Sequence, residues 1–245
     1  MNHIQHLKAA GKYFLIVLFS FFILQTVLIL MHEFTHSTVA WLFGDMDNPF
    51  GIVWGNPLMM TGWDEGVHYS KLFPQPGNAT EAVIGVSPLL VHALMVIAGL
   101  YLLQRPAMMK RKWTFHFVYW FIVANFMELA AYIVMRAFAS GGDTGHFDHG
   151  LNISAWYLFV IGSLLLAVGL VILFRKVMPK LFALFAADNF ATRWAILGLT
   201  AFIIFLWGSG IRVVCYIYPD PQWLFGLTGF AAFGAVLFLC RPDRV

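Results

Sequence analysis

Residues 13–43 read YFLIVLFSFFILQTVLILMHEFTHSTVAWLF, and Glu33 is the only Asp, Glu, Lys or Arg in this run. A helix that crosses the hydrocarbon core of a bilayer needs about 20 predominantly apolar residues. The run is longer than the apolar region of a removable signal peptide, and no small-residue cleavage site follows it. It therefore predicts a transmembrane helix.

The composition of the whole chain agrees with this prediction. Of its 245 residues, 60% are hydrophobic and 11% are charged, whereas a soluble domain carries about 25% charged residues. Such a chain has too few polar groups to cover a globular surface, and too few charges to remain disordered. Two cysteines are too few for a disulfide framework, and the net charge of +3 suggests no nucleic-acid partner.

Apolar segments long enough to span a bilayer recur along the chain. We predict six transmembrane helices, at about residues 13–43, 81–103, 113–139, 155–174, 193–218 and 222–240. The turn Pro219-Asp220-Pro221 joins the last two. The chain has no internal repeat and no soluble segment, so residues 1–245 are predicted to form a single all-α polytopic membrane domain embedded in the lipid bilayer.

The positive charges predict the orientation of these helices. Twelve of the 15 Lys and Arg residues lie before the first span, after the last, or around the loops that follow the second and fourth spans. Loops rich in Lys and Arg remain on the cytoplasmic side. Both termini are therefore expected in the cytoplasm, and the end of the first span is expected on the opposite side.

The segment between the first two spans, residues 45–80, is rich in glycine and proline. Its short apolar pieces, such as residues 50–54, are compatible with strands or with a re-entrant hairpin. Irregular backbone at membrane depth must be buried in protein or line a wet cavity. We therefore predict an extramembrane or re-entrant loop after the first helix.

The pentapeptide His32-Glu33-Phe34-Thr35-His36 has the pattern HExxH, which is expected by chance about 0.005 times in a chain of this composition. Residues i and i+4 share one helix face, so both imidazoles can bind one metal ion. Zinc suits two such nitrogens with a carboxylate and an open position for water, whose proton Glu33 can accept. The alternative is a polar helix end that meets water at the membrane surface.

Two histidines leave a third ligand to be identified. Asp143 follows the third span in a glycine-rich segment and is predicted to emerge on the same side as the HExxH pattern. Glu128 is the alternative ligand, because an unpaired carboxylate within a span is costly. A Gly/Asp-rich turn and a protonated or hydrogen-bonded glutamate are the competing structural explanations.

Three further polar residues are candidates for contacts with a substrate or transition state, namely Asn125, His92 and His146. His146 follows Asp143 by one helical turn and is also a candidate ligand. His92 follows Ser87-Pro88, where the proline is expected to free a carbonyl for a substrate backbone or water. The simpler interpretation of His92 is a hydrogen-bonded helix histidine.

The segment HEFTHSTVAWLFG, residues 32–44, resembles the site-2 protease family of intramembrane zinc metalloproteases. In that family HExxH is followed by a small residue and a glycine, which Ala40 and Gly44 match. Its core also has a helix with a Gly-Pro element and a helix with an Asn and then an Asp-Gly ligand motif. Pro88, Asn125 and Asp143 occur here in that order, with Ser and Thr in place of the two glycines.

The resemblance implies a membrane-embedded zinc endopeptidase, of the bacterial inner membrane, that hydrolyses membrane-protein or peptide substrates by intramembrane proteolysis. Its core would be residues 13–150, and the helices at about 155–240 would be additional. His32, His36 and Asp143 would bind Zn²⁺, with Glu33 as the catalytic base. Two alternatives are a zinc-dependent membrane hydrolase acting on a lipid amide, and a metal-binding transporter or scaffold with a closed four-ligand site.

Overall fold

The computed structural model describes residues 3–56, 62–211 and 222–242. These residues form nine α-helices and no β-strand. In chain order the helices are α1 (His3–Phe43), α2 (Tyr69–Leu72), α3 (Ala79–Gln104), α4 (Lys112–Ala130), α5 (Gly142–Leu151), α6 (Trp156–Ile172), α7 (Met178–Phe185), α8 (Phe190–Phe202) and α9 (Gln222–Leu239). The predicted turn at residues 219–221 lies outside the described residues.

Five helical segments in the described part of the chain are long and apolar enough to cross a membrane. They are Ile4–Phe43, Ala79–Gln104, Lys112–Met135, Trp156–Phe185 and Phe190–Gly210. The predicted all-helical architecture is therefore confirmed for the described residues, and the length and apolar composition of these segments support a membrane protein. Helix α9 is also apolar but shorter than these five.

Three of the spanning helices continue into π-helical turns, at Ala131–Met135, Leu173–Val177 and Ile203–Gly210. The third span ends at Met135 and not at the predicted residue 139, because the backbone of Arg136 is not helical. The fourth continues to Phe185, so residues 175–180, predicted as a loop, are helical. Long basic side chains tolerate such a position, since their stems cover apolar surface while their charges reach water.

Helix α4 is the most enclosed of the five spans and forms the centre of the bundle. It packs against α1, α3 and the π-helical turn after α8, and Phe115, Tyr119 and Trp120 are fully buried there. Leucines on the outer face of α6, such as Leu164 and Leu165, are exposed. Exposed apolar side chains on a helix of this length are suited to contact with lipid.

The loop between α1 and α3 folds back onto the end of α1 that carries the HExxH pattern. The Ser37 hydroxyl donates to the Pro49 carbonyl over 2.7 Å, and Val67, Tyr69 and Phe73 are buried in a small core beside α1 and α3. The sequence allowed strands or a re-entrant hairpin at residues 50–54. Among the described residues this segment has no strand and forms an antiparallel bridge between Val53 and Asp64.

Candidate metal centre

Helices α1 and α5 bring three of the predicted ligands together. His32 Nε2 lies 3.2 Å from Asp143 Oδ2, and His36 Nε2 lies 3.5 Å from Asp143 Oδ1. All three residues are buried, and one ligand atom from each lies within 4.8 Å of the others. This ligand cluster (His32, His36 and Asp143) can hold a metal ion.

Two atoms of the ligand cluster are unsatisfied. His36 Nε2 and Asp143 Oδ2 are buried without a hydrogen-bond partner among the described residues. A buried polar atom without a partner costs free energy, so such atoms in a folded protein call for an explanation. A cation between the imidazoles and the carboxylate would satisfy both, and this donor set is suited to a transition metal.

A hydrogen-bonded chain behind His32 determines which of its nitrogens faces Asp143. The Asn125 amide nitrogen donates to the Phe121 carbonyl over 2.8 Å, so Asn125 Oδ1 accepts from His92 Nδ1 over 2.9 Å. His92 Nε2 is then the acceptor for His32 Nδ1, also at 2.9 Å. These partners assign the proton of His32 to Nδ1 and leave the lone pair of Nε2 for the ligand cluster.

Pro88 has a corresponding effect on His36. Because proline has no N–H, the carbonyl of Ile84, four residues earlier, lacks its helical donor. His36 Nδ1 donates to that carbonyl over 2.8 Å, and the Ser87 hydroxyl also donates to it over 2.9 Å. The proline therefore frees a carbonyl as expected, but that carbonyl binds a histidine of the ligand cluster, whose Nε2 is left free.

The other predicted residues occupy different positions. Glu33 is partly buried beside the ligand cluster and interacts electrostatically with all three of its members. Glu128 instead accepts a hydrogen bond from the Gln25 amide over 2.9 Å. Among the described residues, neither Glu128 nor His146 joins the ligand cluster. His92 and Asn125 lie behind His32, in the hydrogen-bonded chain.

The charge state of Asp143 suits a metal ligand. Burial by itself would raise the pKa of this carboxyl group, but the imidazoles of His32 and His36, which carry a proton toward Asp143 when no metal is bound, hold the pKa well below its usual range. Asp143 is therefore ionised at neutral pH, as metal binding requires.

Three residues near the site were not identified from the sequence. Glu65, in the loop after α1, interacts electrostatically with Glu33 and His36. Burial and the nearby Glu65 raise the pKa of Tyr69, which therefore stays protonated. Glu81 is buried at the start of α3. Its position at the end of a predicted span, in a chain with few glutamates, was the signal in the sequence that could have identified it as a candidate.

Comparison of the chain with known protein families, with curated proteins and with solved structures finds no match. The functional conclusion therefore rests on the sequence pattern and on the geometry of the site.

Proposed function

We propose that this protein is a membrane-embedded zinc metalloprotease that hydrolyses peptide bonds of membrane-protein substrates, as its HExxH segment and the resemblance to site-2 proteases imply. The observation that carries the proposal is the convergence of His32, His36 and Asp143, together with the absence of a hydrogen-bond partner, among the described residues, for His36 Nε2 and Asp143 Oδ2. Glu33, beside them, supplies the base that the reaction needs.

The spacing of the ligand cluster supports zinc as the metal. Ligand atoms 2.0–2.1 Å from a tetrahedral zinc ion are separated from one another by about 3.3 Å. The nitrogen–oxygen distances of 3.2 Å and 3.5 Å are close to this value. Both histidines also have their Nδ1 atoms engaged elsewhere, which leaves neutral Nε2 atoms to bind the metal.

The number of ligands supports catalysis over a structural or transport role. A structural zinc site is closed by four protein ligands, whereas a catalytic site keeps a position for water. Three residues form the ligand cluster in the described part of the chain. His146, the candidate fourth ligand, is hydrogen-bonded through Nδ1 to Glu81 over 2.9 Å.

The chemistry divides between the metal and the surrounding side chains. Zinc, when bound, supplies a water of lowered pKa and polarises the scissile carbonyl. Glu33 accepts the proton of the attacking water and delivers it to the leaving amine. The chain from His32 through His92 to Asn125 holds the first imidazole in one orientation and one tautomer.

We further propose six spans, with α9 as the sixth and both termini in the cytoplasm of a bacterial inner membrane. Helix α1 is about 60 Å long at 1.5 Å per residue, twice the thickness of a hydrocarbon core. Lys8 and Lys12 lie about 36 Å and about 30 Å along α1 from His32. This separation supports a metal centre near the outer surface, which accessibility labelling of single cysteines beside Lys8 and Asp47 tests.

The test of the proposed function is Glu33→Gln. We expect purified wild-type protein to contain about one zinc ion per chain and to cleave a transmembrane substrate in liposomes. The variant should retain the zinc while its rate falls by about 100-fold or more, because the proton acceptor is gone. Zinc content is measured by mass spectrometry and cleavage by electrophoresis.

Two results would contradict the proposal. One is wild-type protein that binds no zinc under any loading condition, and the other is a Glu33→Gln variant that cleaves at the wild-type rate. Hydrolysis of N-acyl lipid amides, with no cleavage of any membrane-protein substrate, would assign the same centre to the lipid-amide alternative.

A further inference from the structure

A second group of two histidines and a carboxylate lies between α3 and α5. Glu81, which is 2% exposed, accepts hydrogen bonds from His146 Nδ1 over 2.9 Å and from His149 Nδ1 over 2.6 Å. We name these three residues the anchor cluster. A buried carboxylate is costly unless its oxygens are hydrogen-bonded, and here each oxygen has a histidine donor.

The anchor cluster shares a helix face with the metal ligand of α5. Asp143, His146 and His149 are spaced at i, i+3 and i+6, so their side chains lie on the same side of α5. His146 and His149 contact Glu81 of α3, and Asp143 contacts the two histidines of α1. Asp143 is one turn from the first anchor histidine. Any shift of α5 on α3 therefore moves the carboxylate of the ligand cluster.

The backbones of α3 and α5 approach each other closely at two glycines. A Cβ atom on Gly85 would lie 2.9 Å from both the Asp143 carbonyl oxygen and the Cβ of His146. A Cβ on Gly150 would overlap the backbone of Ala82 and Asn78. The side chains of the anchor cluster thus act across a rigid contact in which small displacements are resisted.

Residues of the loop between α1 and α3 also stabilise this contact. The Tyr69 ring stacks on the His146 ring, with centroids 3.6 Å apart and planes inclined by 12°. The Gly77 amide donates to the His149 carbonyl over 3.0 Å. Both anchor histidines are therefore fixed by a second partner besides Glu81.

One helix then supports all three members of the ligand cluster. The Ile84 carbonyl orients His36, and His92 orients His32. We propose that Glu81, through His146 and His149, positions Asp143 in the same way. This inference rests on the proposed metal site. Glu81 acts by holding α5 at the distance from α1 that metal binding requires.

The competing interpretation is a second metal site. Its nitrogen–oxygen distances, 2.9 Å and 2.6 Å, are hydrogen-bond lengths and shorter than the separation of two zinc ligands, about 3.3 Å. The buried atoms without partners in the described chain include two of the ligand cluster and none of the anchor cluster. The anchor cluster is thus satisfied without a metal.

The test compares metal affinity and metal geometry in three variants. Glu81→Gln keeps one acceptor oxygen but loses the second and the charge, and Gly85→Ala displaces α5 without changing any side chain of the anchor cluster. His116→Gln is the matched control, because His116 is a buried histidine bonded to Tyr13 and Ser20, outside the ligand cluster and its supports. Zinc affinity is measured by chelator competition, and the geometry by the visible spectrum of bound Co²⁺.

We expect Glu81→Gln and Gly85→Ala to weaken zinc binding by about 10- to 100-fold, the range typical of groups that orient metal ligands. Their Co²⁺ spectra should shift relative to wild type, whereas His116→Gln should retain both the affinity and the spectrum. If Glu81→Gln does not fold, His149→Gln, at a partly exposed position, replaces it. The same weakening is then expected with a smaller disturbance.

Two results would overturn this inference without touching the proposed function. Folded Glu81→Gln or His149→Gln protein with wild-type affinity and spectrum would show that the anchor cluster does not position Asp143. Equal weakening in His116→Gln would show a general loss of stability instead. Wild-type protein that binds neither zinc nor Co²⁺ would instead refute the proposed function, and the inference with it.

Discussion

The ligand cluster and the anchor cluster contain the same kinds of side chain, two histidines and one carboxylate, yet their geometry differs. In the ligand cluster the nitrogen–oxygen distances are 3.2 Å and 3.5 Å, and two atoms have no partner among the described residues. In the anchor cluster the distances are 2.9 Å and 2.6 Å, and both carboxylate oxygens accept hydrogen bonds. Residue type alone therefore does not distinguish a metal centre from a structural contact.

The difference arises from the proton on each imidazole. In the anchor cluster both histidines direct Nδ1 at the carboxylate, where an N–H can donate. In the ligand cluster both Nδ1 atoms are engaged elsewhere, so neutral imidazoles direct Nε2 lone pairs at the lone pairs of Asp143. Such groups repel one another unless a proton or a metal ion lies between them, which is the electrostatic reason to expect a cation.

Removal of one histidine from each cluster provides the largest contrast. His36→Ala should reduce bound zinc from about one ion per chain to nearly none and abolish cleavage, because a catalytic zinc needs three protein ligands. His149→Ala should still bind about one zinc ion at saturating metal, although more weakly. The zinc content of each variant, measured after dialysis against a series of zinc concentrations, distinguishes loss of the site in His36→Ala from weaker binding in His149→Ala.

Equal zinc occupancy in His36→Ala and wild-type protein would show that the metal is held elsewhere. Complete loss of zinc in a folded His149→Ala protein, even at saturation, would mean that the anchor cluster contributes a ligand itself. The distinction between the two clusters would then be wrong.

Pro88→Ala tests whether the tautomer of His36 matters, with a smaller expected effect. Alanine supplies an N–H that competes with His36 for the Ile84 carbonyl. We expect zinc affinity to fall by about 10-fold, while thermal stability is unchanged or higher because a proline has left a helix interior. Chelator competition and thermal unfolding measure the two quantities.

The control for this variant is Pro179→Ala, because Pro179 is also a proline within a helical span but lies in α7, outside the ligand cluster and its supports. It should leave zinc affinity unchanged. Unchanged affinity in Pro88→Ala as well would mean that the freed carbonyl does not orient the ligand.

Local patterns allowed much of the fold and of the ligand cluster to be predicted. Apolar run lengths identified the spanning helices, and the spacing of His32 and His36 placed both on one helix face. Asp143 was selected because its segment was expected on the same side of the membrane. Each of these predictions requires only helix geometry or the thickness of a bilayer.

The residues that support the ligand cluster are brought together by tertiary packing, which local sequence patterns do not reveal. Glu81 and His146 are 65 residues apart, and their contact exists because glycines allow α3 and α5 to approach closely. Pro88 was expected to free a carbonyl, but the sequence contained no sign that His36 would bind it. The helical continuation through residues 175–180 was missed because basic residues resemble a loop in a hydropathy pattern.

The smallest expected effect concerns Asp148, the second aspartate of α5. Unlike Asp143, it has no ion-pair contact with His32 or His36, so a comparison of the two aspartates shows what these histidines contribute. Asp148 Oδ1 is buried without a partner among the described residues, and burial raises the pKa of this carboxyl group to about 6. An unfolded aspartate has a pKa of about 3.9, so the folded state binds the proton more tightly. Stability therefore declines as the pH rises from about 4 through 6, and the cost of the buried charge is fully present above that.

Asp148→Asn removes this charge and should raise the unfolding midpoint by a few degrees at pH 7.5, with no difference from wild type at pH 4. Metal-free Asp143→Asn should have the opposite effect at pH 7.5, because it removes a carboxylate that the two imidazoles stabilise when, without a metal, they carry protons. Thermal unfolding in detergent, followed by tryptophan fluorescence, compares the variants. If both variants unfold at a lower temperature than wild type at pH 7.5, the charge of Asp148 does not destabilise the protein, and the contrast with Asp143 is wrong.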